Sequence, residues 1–154
     1  MTTTGQLDCL HKLFNKKNKM RANEFLKESI SYIHQSNDGG NLEGYVVDSN
    51  QPQLSNYLTG QGADKNLVNA LIEKYKTIAI IRNMYVNEEE RGKGYGNDLV
   101  SNAIDSAAEQ GADAIVCIAD ISEDNTVNLV KWYEGFGFET VGRAGADPVM
   151  VMEL

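Results

Sequence analysis

A chain of 154 residues, 42% hydrophobic and 23% charged, is the length of one ordinary domain with enough apolar surface for a single core. A net charge of −8 argues against nonspecific nucleic-acid binding and suits a cationic partner such as an amine. No apolar run approaches the roughly 18 residues that would mark a membrane helix.

The opening segment, MTTTGQLDCLHKLFNKKNKMR, lacks the apolar core of a signal peptide, so a cytoplasmic protein is expected, with no membrane partner. Charge is unevenly placed: residues 1–35 hold six Lys/Arg against three Asp/Glu, and the remainder eight against nineteen. The basic stretch reads as a solvated helix face. Residues 7–34 carry Leu10, Leu13, Phe14, Phe25, Leu26, Ile30 and Ile33 at three- and four-residue spacings, which predicts helix up to the NDGG stop. His11 and His34, both in this half, read as structural or exposed, and Cys9 lies in a polar segment. Residues 42–48, LEGYVVD, are a strand candidate, and SNQPQLSNYLTGQG reads as a long turn-rich connection. Asp64 can cap a short helix through Tyr75 with Leu67, Val68, Leu71 and Ile72 on one face.

Thr77 to Asn87 is rich in β-formers and ends at three glutamates. Gly94 to Gln110 repeats Leu99, Val100, Ala103, Ile104 and Ala107 as a helical stripe closed by Gly111. Ala114 to Ala119 is the near-continuous apolar run of a strand covered on both faces, with Cys117 as a small core residue. Asn125 to Glu134 reads as a further helix, and FGFETVG and PVMVMEL as closing strands. The order describes one α/β domain over residues 1–154, without repeats or a linker.

Between the strand and the helix of the second half stands RGKGYG. Gly92, Gly94 and Gly96 are evenly spaced, which excludes the G-x-G-x-x-G dinucleotide fingerprint, and no Lys-Ser/Thr follows to make a P-loop. A helix starting near Gly94 still aims unpaired amides at solvent, and its dipole favours an anion, with Arg91 and Lys93 on either side. The alternative is a glycine-rich turn closing a strand–helix corner.

RGKGYG after a strand ending in MYV resembles the acetyl-CoA loop of the GNAT superfamily of N-acetyltransferases, with Arg91, Gly94 and Gly96 filling its Arg/Gln-x-x-Gly-x-Gly/Ala pattern. EDNTVNLVKWYEGFGFETVG resembles the later family segment, in which Tyr133 stands four residues before Gly137-Phe138. The resemblance covers residues 78–154 and implies a mixed, mostly antiparallel sheet with splayed central strands and flanking helices. It makes 77–154 the acetyl-CoA half and 1–76 a divergent substrate-side half, without the family's usual opening strand, two helices and meander in recognisable order. It implies that Met84, Tyr85 and Val86 pair with the pantetheine arm, and that Gly92, Lys93, Gly94, Tyr95, Gly96 and Asn97 hold the pyrophosphate. Asn125 is a further cofactor contact, although it lies eight residues before Tyr133, one more than the family spacing, with Thr126 at the usual place.

The implied chemistry is direct attack of a primary amine on acetyl-CoA in a ternary complex, with no metal and no acyl-enzyme. Tyr133 would act as general acid toward the leaving thiolate, the Val86 amide would polarise the thioester carbonyl, and Trp132 would pack. Asp120, ending AIVCIAD, is the candidate base against the alternative of a capping carboxylate, and Glu88 to Glu90 form a solvated acidic turn. The acceptor class spans small amines and protein or peptide amines. The basic first 35 residues keep aminoacyl-tRNA, an acceptor of one family branch, in view. A homodimer is compatible with the family, and the competing function is a CoA-binding sensor or interaction domain without catalysis.

Overall fold

The computed structural model describes residues 30–121 and 128–154. Cys9, His11, Asn125, Thr126 and the helical reading of residues 7–29 lie outside the described residues. Within them the chain runs β1 (Ile30–Asn37), β2 (Gly40–Asp48), α1 (Pro52–Gly60), α2 (Lys65–Lys74), β3 (Thr77–Val86), a 3-10 turn (Glu88–Glu90), α3 (Tyr95–Glu109), β4 (Ala114–Ile118), α4 (Leu129–Glu134), β5 (Glu139–Ala144) and β6 (Asp147–Glu153). The six strands form one sheet in the order β1-β2-β3-β4-β6-β5, antiparallel except for the β3–β4 pair. Among the described residues no helix is long and apolar enough to cross a membrane.

The structure corrects two sequence expectations. Residues 30–34 are strand rather than the end of a helix: β1 pairs along its whole length with β2, from Ile30 opposite Val47 to Asn37 opposite Gly40. NDGG therefore closes a hairpin, in which the Asn37 carboxamide oxygen accepts the amides of Gly39 and Gly40 at 2.9 and 3.0 Å. The supposed connection at 49–62 contains α1, which starts on Pro52, where the missing N–H costs nothing, and buries Leu54 and Leu58 one turn apart. Both α1 and α2 therefore lie between the hairpin and β3.

The remaining elements form near their expected places. α4, however, covers Leu129–Glu134 behind an extended N-cap at Asn128 rather than the whole of 125–134, and β5 runs over Glu139–Ala144 rather than 136–142. Asp64 caps α2 by accepting the Asn66 amide at 3.2 Å, and Val68 and Leu71 face inward. On β3, Ile78 and Ile80 pack under α1 and α2 with Leu54, Leu58, Val68 and Leu71, while Ala79 and Ile81 face the layer of α3 and α4 with Leu99, Val100, Ala103 and Phe138. Every residue of β4 from Ala114 to Cys117 is buried, as its unbroken apolar run requires of a strand covered on both faces.

Two features of β3 open the sheet. It pairs with β4 only through Ile78, Ala79 and Ile80, opposite Ala114, Ile115 and Val116, yet continues to Val86. Beyond those three positions the two parallel strands diverge toward their carboxyl ends. The register with β2 also jumps, from Asn83 opposite Glu43 to Ile81 opposite Gly44, so Arg82 is an extra, bulged residue. Gly44 is required there, because a Cβ would fall onto the Ile80 carbonyl oxygen.

Candidate active site

The open half of β3 leads directly into the glycine loop. The Asn87 amide donates to the Gly39 carbonyl at 2.7 Å, which makes that pair the hydrogen-bonded one of the antiparallel ladder. Hydrogen-bonded and non-hydrogen-bonded pairs alternate, so the backbone groups of Val86 and Met84 point away from β2, toward the opening beside β4. The side chains of Met84 and Val86 pack against the core under α3, and Tyr85 is exposed.

Gly92 and Gly94 hold φ of +84° and +88°, a region costly for residues with a Cβ. Gly94 is the N-cap of α3 and offers no side-chain cap, so the first amides of a 15-residue helix have no side-chain acceptor from that residue. A Cβ at either glycine would meet nothing within 4 Å, so the loop is open on that side. The flanking cations are engaged within the protein. Arg91 Nε donates to the Val86 carbonyl at 3.1 Å and fastens the loop to the end of β3, while Lys93 pairs with Glu90 at 3.1 Å. Glu88 and Glu89 are exposed, as an acidic turn should be.

Three contacts hold the start of α3 in place, and sequence reasoning missed each of them. The Asn37 carboxamide donates to the Tyr95 carbonyl at 3.2 Å, and the Tyr95 ring fills the space where Gly39 lacks a side chain. Asn97 directs its side chain away from the loop and accepts the Trp132 indole N–H at 2.7 Å. Gly96 lies against Val86 and Trp132, where a Cβ would sit 3.5 Å from each. Trp132 is therefore a tie between α4 and α3 as well as a packing residue.

Tyr133, next on α4, is buried with its ring 5.0 Å from Trp132 and 5.5 Å from Phe138. Asn128 caps this helix by accepting the Lys131 amide at 3.1 Å. Burial, with Cys117 and Tyr57 nearby, pushes the Tyr133 phenol far above its ordinary pKa, so it holds its proton at any physiological pH. Burial does the same to the Cys117 thiol, consistent with a core residue. Asp120 stands two residues past the end of β4, exposed, at the end toward which β3 and β4 diverge. Its neighbours are fixed to the start of β6, the Ala119 amide to the Pro148 carbonyl and the Ile121 amide to the Asp147 carboxylate.

A separate cavity of about 330 Å³, lined by Asp48, Ser49, Ile72, Lys74 and Lys76, lies at the opposite end of the sheet, and its Lys74 is paired with Glu153.

A mixed sheet parted between two parallel strands, with a glycine-lined helix start at the parting, is the architecture of the GNAT fold. The chain belongs to that superfamily: the family model described as Acetyltransferase (GNAT) domain matches residues 56–140. Among solved structures it is similar to the PaiA N-acetyltransferase from Thermoplasma acidophilum in complex with coenzyme A, at 16% identity and a TM-score of 0.52 over 88% of this chain and 66% of that one. It is also similar to an acetyltransferase from Bacillus cereus, at 14% identity and a TM-score of 0.51 over 88% of this chain and 85% of that one. An agmatine N-acetyltransferase in its apo form gives 12% identity and a TM-score of 0.51 over 79% and 72%. The chain thus spans slightly less than two thirds of the PaiA protein, and these likenesses establish the fold alone. No curated protein matches the chain in sequence.

Proposed function

We propose that the chain is one acetyltransferase domain that moves an acetyl group from acetyl-CoA to a primary amine by direct attack in a ternary complex. The observation that carries this reading is the pair of unobstructed, left-handed glycines at the start of α3, set beside the unpaired edge of β3. The residues present fit the cofactor, since Gly92 and Gly94 keep the start of α3 bare of side chains and a Cβ at either would meet no protein atom within 4 Å.

Bound there, acetyl-CoA would supply an activated thioester. The amides of Tyr95, Gly96 and Asn97 receive the anion, and Gly92 and Gly94 keep the approach clear. Lys93 adds charge by exchanging Glu90 for phosphate, whereas Arg91 shapes the loop from its bond to Val86. Met84 offers its backbone groups and Val86 its N–H to the pantetheine arm as a sheet edge accepts an added strand, with Tyr85 alongside and the Val86 carbonyl held by Arg91. The Val86 N–H polarises the thioester carbonyl in this reading.

Tyr133 donates a hydrogen bond to the leaving sulfur. A phenol more weakly acidic than usual does not hand its proton fully to a thiolate whose conjugate acid has a pKa near 8.5, about 1.5 below that of an ordinary phenol. Asp120 takes the ammonium proton of the acceptor directly or through water, and residues before β3 supply most of the acceptor's surroundings.

The test is thermal unfolding with acetyl-CoA, followed by turnover of Tyr133→Phe. Ligand at about 100 times its dissociation constant stabilises the fold by roughly 2.7 kcal/mol. Tyr133→Phe should lower kcat about 100-fold with the acetyl-CoA Kd unchanged, the size expected for loss of one donor to developing charge. No midpoint shift at millimolar acetyl-CoA would overturn the reading. Full activity in the variant would remove Tyr133 from it, and tight binding with no amine turned over would favour a CoA sensor.

A further inference from the structure

The bulge in β3 sets Arg82 at the parting of the strands, and the cofactor chemistry does not use it. Arg82 is exposed, and its guanidinium carbon lies 5.8 Å from the centroid of the Tyr57 ring on α1. At that distance the ring favours the guanidinium charge, and among the described residues no hydrogen bond of the Arg82 side chain is found. Tyr45, on β2, shares this side of the sheet. The ion pairs among the described residues join His34 to Glu43, Lys74 to Glu153 and Lys93 to Glu90, and none includes Arg82. Glu43, across from Asn83 beside the bulge, is the nearby carboxylate in register, and it turns to His34 at 3.7 Å.

Tyr57 packs against the cluster that holds Ile78 and Ile80 of β3 and Ala114 and Val116 of β4, so it stands beside both strands that part. Arg82 on the β3 side and Asp120 beyond β4 therefore carry opposite charges on the two strands that flank one opening. A planar fork of donors beside an aromatic ring is suited to a carboxylate, which it can grip with two parallel hydrogen bonds. A second ammonium, as in a diamine, would meet a like charge there.

We propose that Arg82, seated on Tyr57, binds the carboxylate of an acceptor that carries both an amine and a carboxylate, so that the substrate class is that of amino acids rather than simple amines or polyamines. This rests on the acetyltransferase reading for its chemistry but not for its binding, and the experiment separates the two. Amino acids and their decarboxylated amines, such as phenylalanine and phenethylamine, are titrated into the CoA-loaded protein by calorimetry, and the same pairs are assayed for turnover with acetyl-CoA.

The carboxylated member of an accepted pair should bind about 10- to 100-fold more tightly, the worth of a hydrogen-bonded charge. Arg82→Gln should erase that difference without altering the binding of the decarboxylated amine or the acetyl-CoA Kd, and Arg82→Lys should keep part of it. Equal or better binding of the decarboxylated amine, an equal loss for both members in Arg82→Gln, or no binding by any carboxylated ligand would overturn the inference. Binding that depends on Arg82 without turnover would remove the catalytic reading and leave the inference standing. Turnover indifferent to Arg82 would do the reverse.

Discussion

Gly94 and Gly111 bracket α3, and together they offer a controlled test of the proposed phosphate cradle. Both have left-handed backbone, with φ of +88° and +85°, and at both an added Cβ would meet nothing within 4 Å. Alanine at either position therefore carries the same backbone cost and no clash, about 1–2 kcal/mol. For a chain of this size each kcal/mol corresponds to about 2–4 °C in the midpoint, so each variant should melt roughly 2–8 °C lower. The two differ only in what lies outside the protein. At Gly94, the N-cap of α3, the proposed cradle puts the phosphate beside the added methyl group, and losing one hydrogen bond to a charged phosphate costs about 1.5–3 kcal/mol. By calorimetry the acetyl-CoA Kd of Gly94→Ala should rise about 10- to 150-fold, while that of Gly111→Ala stays at the wild-type value. Equal affinities in the two variants would refute the cradle, because the backbone cost would then be the whole effect.

Asn97→Ala removes the acceptor of the Trp132 indole N–H at the cost of about 1 kcal/mol, and the chain's single tryptophan should report the loss as a shift in fluorescence emission. Alkaline pH should destabilise the fold through Cys117 and Tyr133, both raised by burial. As pH rises the unfolded chain releases these protons first, the thiol near pH 8.5 and the phenol near about 10, so it binds fewer protons than the native state and stability falls. Below those values the contribution is constant. Urea unfolding should show a loss of up to about 1.4 kcal/mol per pH unit for each group, and Cys117→Ala should move its onset toward about pH 10.

Much of the second half was legible because its signals are local. The apolar stripe of α3, the unbroken run of β4 and the capping Asp64 each depend on neighbours within a few residues. β1 was hidden because only Ile33 along it is deeply buried, and Ile30 and Ile33 imitate helical spacing. The signal for α1 was present in Pro52, Leu54 and Leu58, but proline beside asparagine and glycine reads equally as turn. The site divides in the same way. The glycine loop is contiguous and could be read, whereas the Trp132–Asn97 tie spans 35 residues and the Asn37–Tyr95 tie 58. The bulge at Arg82 depends on pairing with another strand, and no local pattern announces it.

The short seam between β3 and β4 also has a mechanical meaning. Under torsion the sheet is two three-stranded ribbons, β1-β2-β3 and β4-β6-β5, joined edge to edge through three residues on each side. Helices hold the ribbons together across both faces, but between strands the join is brief. Twisting of one ribbon against the other should therefore concentrate at Ile78–Ile80. A ligand lying along the free edge of β3 would lengthen that seam, stiffening the protein most where it is least braced. Amide hydrogen exchange at Met84 and Val86 would register that stiffening directly.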